Sequence, residues 1–181
     1  MYLTSDLHFF HKKVLDFQAH TRPFKDLDEM NQAYVDHWNS LAVKRGIKMF
    51  HLGDFSFGSP SQTEEVASQL KGDIVFIKGN HDRSSTINVL EKYGEVKDYH
   101  EEKYKKYLFC MMHYPILEWN KQHYGSLMLH GHTHGKMVDT EESRGRTMDV
   151  GIDVHGKFLH FDEVIDILSK REIVTAWGRQ R

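Results

Sequence analysis

The feature that most constrains the fold of this 181-residue chain is a series of short apolar runs. Five of them are followed, within two residues, by a side chain able to bind a metal. The runs are MYLTS, IKMFHL, DIVFIK, YLFCMM, SLMLH and TMDVGI. Continuous apolar runs of this length are typical of β-strands that are covered on both faces. We therefore predict a strand at each run, in the interior of the fold.

Helix signals separate several of these runs. From position 27 to position 41, apolar residues recur at intervals of three and four, as on one face of a helix, and Asp26 precedes them as a potential cap. Further helix starts are predicted at Ser59-Pro60, at Ser84 or Ser85, and at Asp162. Residues 99–110 are expected to form a hairpin. This order predicts an α/β domain with mixed sheets inside and helices outside.

Composition excludes several classes of protein. Net charge is −2, with 24 basic and 26 acidic residues interspersed, which argues against stable nucleic-acid binding. The lone cysteine, Cys110, excludes a disulfide framework. No signal-peptide pattern and no apolar segment of membrane-spanning length is apparent, so we expect a cytoplasmic protein without membrane association. We expect one domain over residues 1–181; the oligomeric state is left open.

The donors that end the apolar runs predict a shared metal site. They are Asp6 and His8, Asp54, Asn80, His113, and the pair His132 and His134. Each fragment alone could be a turn, but ligands of open α/β sheets bind outside the carboxyl ends of the strands, where all of these residues would meet. Seven donors exceed the four that one tetrahedral zinc takes, so two ions are expected. Nitrogen and oxygen donors favour manganese, iron, zinc or nickel over copper(I), and over magnesium.

The order D-x-H, G-D, G-N-H-D, H and G-H-x-H resembles that of the calcineurin-like metallophosphoesterase superfamily. The chain is most similar to its small single-domain bacterial and phage phosphoesterases. It shares with them an RPF motif at 22–24, HYPxxxW at 113–119 and DVGxDVHG at 149–156. The resemblance implies a four-layer α/β/β/α sandwich of two mixed sheets flanked by helices.

The resemblance also implies a binuclear metal centre, with manganese as the preferred metal. Asp6, His8, Asp54 and His134 would hold one ion. Asp54, Asn80, His113 and His132 would hold the second, with Asp54 bridging.

By the same resemblance, His81 faces the substrate as an acid or charge stabiliser while a metal-bridging hydroxide attacks phosphorus. Asp82 would fix the tautomer of His81, or would merely cap a turn. We also predict substrate contacts for His11, Arg22 and His123. The alternative for Arg22 is a solvated loop charge.

The function expected from these residues is metal-dependent hydrolysis of a phosphate ester. The compact chain leaves little room for a capping domain, so a small nucleotide-like phosphodiester is the preferred substrate. A phosphomonoester is the alternative. Two further hypotheses are a non-catalytic scaffold of the same fold and a zinc-storage or structural metal site. Neither of these requires His81.

Overall fold

A computed structural model describes residues 1–137 and 144–175, and the backbone of 178–179. Its strands are β1 (Tyr2–Thr4), β2 (Lys48–Leu52), β3 (Asp73–Ile77), β4 (Glu95–Lys97), β5 (Tyr99–Tyr104), β6 (Tyr107–Met112), β7 (Leu127–His130), β8 (Thr147–Asp149), β9 (Leu159–His160), β10 (Val174–Thr175) and β11 (Gly178–Arg179). Its α-helices within these ranges are α1 (Val14–Phe17), α2 (Leu27–Leu41), α3 (Pro60–Ala67), α4 (Ser84–Leu90), α5 (Ile152–His155) and α6 (Phe161–Leu168). A 3-10 helix covers Gln122–Tyr124.

The strands form two mixed sheets and a small two-stranded one. The first sheet has the order β4-β3-β2-β1-β9, in which only β9 runs antiparallel. The second has the order β5-β6-β7-β8, with β6, β7 and β8 parallel and β5 antiparallel. Strands β10 and β11 pair antiparallel. In both large sheets, the parallel strands send their carboxyl ends to one edge.

Alternate side chains of the first sheet enter two different cores. One face packs against helices α2, α3 and α4, in a core that includes Met49, Phe76 and the fully buried Trp38. The other face packs against the second sheet and α6, in a core that includes Phe50, Phe109 and Phe161. Burying large apolar side chains on both faces explains why the strand runs are continuously apolar. Helix, sheet and sheet thus form three layers, as α/β folds do.

The predicted fourth layer, made of helices on the far side of the second sheet, is not confirmed by the elements described. Residues that precede β7 contact this sheet instead. Cys110 donates its thiol hydrogen to the carbonyl of Asn120, which lies between β6 and the 3-10 helix. Among the residues described, no helix is both long and apolar enough to cross a membrane.

The predicted strands and hairpin are confirmed, and the helix starts are confirmed in three of four cases. Asp26 caps α2, since its carboxylate accepts from the amide of Glu29 at 2.9 Å. Ser59 caps α3 in a capping box, with Pro60 at the first helical position.

The predicted start at Ser84 is also confirmed, although Arg83 occupies the cap position before it and forms no side-chain cap hydrogen bond. The start at Asp162 differs from the prediction. Helix α6 begins at Phe161, where the ring of His160 accepts from the amide of Asp162. The capping box at α6 therefore uses an imidazole nitrogen, which is a less common cap than the carboxylate that was predicted.

Candidate metal centre

The seven predicted donors, called the donor cluster below, follow the carboxyl ends of β1, β2, β3, β6 and β7. Backbone hydrogen bonds hold the loops that carry them together. The amide of Asp6 donates to the carbonyl of Gly53 at 3.0 Å, and the amide of His8 donates to that of Asp54 at 3.1 Å. In the second sheet, the amide of Gly131 donates to the backbone carbonyl of His113 at 3.0 Å. The strand ends therefore bring donors from both sheets to one edge.

Two groups within the donor cluster have the geometry of a metal site. Asp6, His8 and His134 offer ligand atoms that all lie within 4.8 Å of one another, and so do Asp6, Asp54 and His113. Asp6 belongs to both groups, and its carboxylate is fully buried. The two groups therefore meet at the carboxylate of Asp6.

The carboxylate of Asp54 also faces both groups. Its Oδ2 lies 3.7 Å from Nε2 of His8, and its Oδ1 lies 3.6 Å from Nε2 of His113. A single side chain therefore presents one oxygen toward each group. This is the placement that the sequence analysis expected of a bridging residue.

The nitrogen atoms of the cluster fit a divalent ion. Both ring nitrogens of His8 are buried without a hydrogen-bond partner among the described residues, although Asp6 Oδ1 lies 3.7 Å from Nε2. The Nδ1–H of His113 donates to the carbonyl of Leu52 at 2.8 Å, which leaves the Nε2 lone pair facing Asn80 Oδ1 at 3.0 Å. Facing acceptors and unpartnered imidazoles are costly unless a cation lies between them.

Electrostatics hold two members of the cluster, Asp6 and His132, in the protonation states that metal binding requires. Burial opposes ionisation of Asp6, but His8, Ser5 and the nearby imidazoles outweigh it and lower its pKa to about 2. Burial lowers the pKa of His132, which favours the neutral ring. An ionised carboxylate and a neutral imidazole are the forms that bind divalent ions.

Backbone strain is concentrated at the donor cluster. Five donors adopt the left-handed backbone conformation, which residues other than glycine rarely adopt. They are Asp6 (φ 58°), His8 (53°), Asp54 (58°), His132 (69°) and His134 (47°). Such residues persist only where the surrounding structure imposes them, and they are found most often at functional sites.

Close approach of the two sheets at this edge requires glycine. A Cβ atom added to Gly131 would lie 2.2 Å from Ser5 Oγ and 2.4 Å from Asp6 Oδ2. Ser5 donates to the same carboxylate oxygen at 2.5 Å. The amide of His132 also donates to both oxygens of Asp6, at 3.2 and 3.1 Å, so the absence of a side chain at 131 permits this contact.

The prediction that Arg22 contacts substrate is wrong, and so is the alternative of a solvated charge. Arg22 is 1% exposed, and all five of its N–H groups have partners. Nε and Nη2 donate to the two oxygens of Asp153 at 2.8 Å each. Nη1 donates to Leu7 O and contacts Met30 Sδ, and Nη2 donates to Asp6 O. A guanidinium so fully engaged has no hydrogen left for a phosphate.

Asp153, to which the sequence analysis gave no role, connects Arg22 to the donor cluster. Its Oδ2 also accepts from Nδ1–H of His134 at 2.7 Å, which leaves Nε2 of that ring directed toward Asp6, 4.0 Å away. Burial opposes ionisation of Asp153, but Arg22 and His134 outweigh it and lower its pKa. Asp153 therefore orients the ring of His134, as carboxylates behind metal-bound histidines do.

Two further carboxylates fix the loops. Asp82 accepts from the amides of Asp54, Phe55 and Gly79 at 2.8–2.9 Å. These bonds favour the turn-capping alternative for Asp82 over the predicted support of the His81 ring. Asp149 was assigned no role by the sequence analysis. Its Oδ2 accepts from Thr133 Oγ1 at 2.6 Å, and its Oδ1 accepts from an amide of its own loop.

His81 and His11 lie beside the donor cluster, in a cavity of about 570 Å³. The side chain of His81 is 48% exposed, and its Nε2 lies 4.0 Å from Asp54 Oδ2. The Phe57 ring lies between the two histidines, with its centroid 4.7 Å from His81 and 4.2 Å from His11. Both predicted residues are therefore placed where a bound molecule would meet them.

His123 is not brought to this cavity. It is exposed on the 3-10 helix, where its ring lies 4.2 Å from that of Tyr124. Within the described ranges, no contact connects it to the donor cluster. The predicted substrate contact of His123 therefore has no support from its position.

Comparisons with known proteins identify relatives but assign no activity. No family model matches the chain. It is 28% identical over 180 residues to an uncharacterized protein of Methanocaldococcus jannaschii, covering 96% of this chain and 94% of that one. It is 25% identical over 204 residues to the Gene 66 protein of Mycobacterium phage L5, covering 93% of each.

One solved structure shares the fold. The crystal structure of a protein of unknown function from Aquifex aeolicus superposes with a TM-score of 0.73 at 21% identity, covering 92% of this chain and 98% of that one. A phosphoesterase from E. coli superposes with a TM-score of only 0.38 at 15% identity, covering 74% and 69%, which is too low to establish a common fold. The assignment of function therefore depends on the donor cluster.

Proposed function

We propose that this chain is a two-metal phosphoesterase of the calcineurin-like type, with the four-layer architecture of that family. The observation that carries the proposal is the pair of metal-capable groups that share Asp6 and are both faced by Asp54. Asp6, His8, Asp54 and His134 would hold one divalent ion. Asp54, Asn80, His113 and His132 would hold the other. Manganese is the first choice, with iron, zinc or nickel as alternatives.

Two bound ions supply Lewis-acid activation of water and of the phosphoryl oxygens. The chain itself supplies the positioning. Arg22 and Asp153 hold His134, Ser5 holds Asp6, and Leu52 O fixes the tautomer of His113. These contacts leave the ligand atoms with little freedom, so binding an ion requires little rearrangement.

His81 would serve as the acid. Its backbone amide donates to Asp54 Oδ1 at 2.8 Å, and this bond holds the backbone of His81 beside the donor cluster. Its ring is half exposed and lines the cavity, so it can reach a leaving oxygen without ligating an ion. A positioned acid of this kind contributes about 10²–10⁴-fold to the rate.

The cavities beside the donor cluster favour a phosphodiester. The His81-side cavity, of about 570 Å³, is lined by Phe17 and Phe57. A second cavity, of about 650 Å³, lies beside His132 and is lined by Tyr114 and Pro115. Lys136 lines both cavities and can neutralise an anion between them. A diester has two organic substituents and can fill both cavities, whereas a monoester fills one.

The proposal is tested by removing metal from the protein and adding back manganese, zinc, nickel or magnesium separately. Bis(p-nitrophenyl) phosphate and p-nitrophenyl phosphate are then compared as substrates. We expect metal-dependent hydrolysis of both, with a higher kcat/KM for the diester. Preference for the monoester would make the chain a phosphatase with the same site. Two bound ions without hydrolysis of either ester would overturn the proposal in favour of a scaffold or structural site.

A further inference from the structure

A third cavity, of about 440 Å³, lies far from the donor cluster and is lined by basic side chains. They are Lys103, Lys105, Lys106, Lys121 and Arg146. The cavity opens at the amino ends of β6 and β7, whereas the donors follow the carboxyl ends of the same strands. A strand the length of β6 spans roughly 20 Å. The basic cavity is therefore a separate site.

The charge of this cavity is largely uncompensated. Lys105 pairs with Asp162 at 2.6 Å, but no acidic side chain of the described residues lines the cavity. Lys103, Lys106 and Lys121 form no ion pair within the described ranges. Such a concentration of positive charge is not a consequence of composition, because the chain as a whole carries a net charge of −2. A concave surface of one sign concentrates ligands of the opposite charge.

Arg146 gives the cavity a fixed cationic group. Its Nε, Nη1 and Nη2 donate to the backbone carbonyls of Arg171, Gly125 and Ser169 at 3.1–3.3 Å. These three bonds hold the guanidinium in place without neutralising it. Its other two N–H groups have no partner among the described residues, which suits an oxyanion in the cavity.

Two of the lysines occupy unfavourable backbone positions. Lys105 (φ 53°), in the tight turn between β5 and β6, and Lys121 (φ 57°), before the 3-10 helix, are both left-handed. Glycine or asparagine would adopt this backbone at lower cost than an ordinary side chain. Local backbone preference therefore does not account for lysine at either position.

Aromatic side chains border the same cavity. The ring of Tyr107 lies 5.4 Å from the ammonium of Lys106, and the side chain of Tyr124 is 78% exposed. An exposed tyrosine beside lysines is suited to stacking a planar ring while the ammonium groups bind phosphates. A volume of 440 Å³ lies in the range of small-molecule sites.

We propose that the basic cavity binds a small polyphosphorylated ligand with a planar ring, that is, a nucleoside polyphosphate. The phosphates would contact Lys106, Lys121 and Arg146, and the base would stack on Tyr124. This site is independent of the metal centre and of the proposed phosphoesterase activity.

The test uses full-length protein in EDTA, so that nucleotide cannot bind through metal ions. Binding of ATP, of inorganic tripolyphosphate and of a single-stranded oligothymidine is measured by calorimetry. The variant Lys106→Gln/Lys121→Gln removes two positive charges from the cavity. The control Lys44→Gln/Arg45→Gln removes two exposed charges from the loop before β2. Tyr124→Ala removes the exposed ring. Thermal unfolding checks that each variant is folded.

We expect ATP to bind, and the cavity variant to bind it at least about tenfold more weakly, as loss of charge-assisted contacts predicts. The control should bind ATP as the wild type does. Tyr124→Ala should weaken ATP binding but leave tripolyphosphate unaffected. The proposal is overturned if ATP does not bind or if both charge variants lose affinity equally. It is also overturned if the oligonucleotide binds more tightly than ATP and displaces it, because the cavity would then be part of a nucleic-acid surface.

Discussion

Arg22 and Asp153 form a buried bidentate ion pair behind the donor cluster, although 131 residues separate them in sequence. The guanidinium also binds the backbone carbonyls of Asp6 and Leu7, and the carboxylate also binds His134. One ion pair thus connects the loop after β1 to the loop after β7. Its removal is expected to affect both stability and metal binding.

We expect Arg22→Ala to lower the free energy of unfolding by about 3–5 kcal/mol, because it leaves the buried carboxylate of Asp153 without its guanidinium partner. Urea denaturation of the metal-free protein measures this change. The free energy of unfolding of Arg22→Lys should lie between those of the wild type and Arg22→Ala, since lysine restores the charge but not the paired geometry. If Arg22→Ala instead unfolded as the wild type does and only raised KM, the substrate contact predicted from sequence would be correct after all.

Asp54→Asn is expected to reduce bound metal from two ions per chain to one or none and to abolish turnover. The substitution removes the negative charge that faces both metal-capable groups. Metal content after dialysis, measured by mass spectrometry, checks the first effect. Asp16→Asn, at an exposed position of α1, is the matched control and should retain both ions. Full metal content in Asp54→Asn would show that Asp6 alone connects the two groups.

His81→Ala should retain both ions and lose about 10²-fold or more in kcat, since an acid contributes on this scale. The loss should be greatest for esters whose leaving groups are poor and need protonation. His123→Ala, at an exposed histidine away from the cavity, should hydrolyse the same esters at the wild-type rate. Equal loss for good and poor leaving groups would contradict the role of His81 as a proton donor.

We expect the buried ring of His51 to make the folded protein less stable in acid. Burial lowers its pKa to about 3, because the ring lies among Phe55 and Phe76 and both of its nitrogens lack a partner among the described residues. The unfolded chain takes up a proton near the ordinary pKa of about 6.5, and the folded chain does not. The contribution of His51 to the free energy of unfolding is therefore fully present above about pH 6.5 and decreases as the pH falls toward 3.

His51→Leu should remove this part of the dependence. Each unit of difference between folded and unfolded pKa corresponds to about 1.4 kcal/mol, so the slope of unfolding free energy against pH should be visibly smaller in the variant. Urea denaturation in EDTA between pH 4 and 7 measures the slope. A variant that loses stability toward acid as steeply as the wild type would show that His51 takes up its proton without unfolding.

Sequence predicted those features that depend on local pattern. The bounds of α2 followed from its apolar spacing and from Asp26, and the strands followed from their apolar runs. The donors followed from their positions at strand ends, because parallel strands deliver their carboxyl ends to one edge.

Features that depend on pairing between distant segments were missed. Arg22 lies in a short polar stretch that resembles a solvated loop, and only the fold brings Asp153 to it. The motif DVGxDVHG gave a signal for Asp149 and Asp153, but local spacing did not reveal what their carboxylates bind. The orientation of Asp82 likewise depends on amides supplied by the next loop.

The left-handed backbone of five donors has a consequence for residues that bind nothing themselves. Strand pairing and the hydrogen bonds between the loops impose these unfavourable dihedral angles, so the position of each donor depends on neighbours that are not donors. A substitution in those loops that relaxed one angle would therefore displace a donor atom without altering any donor.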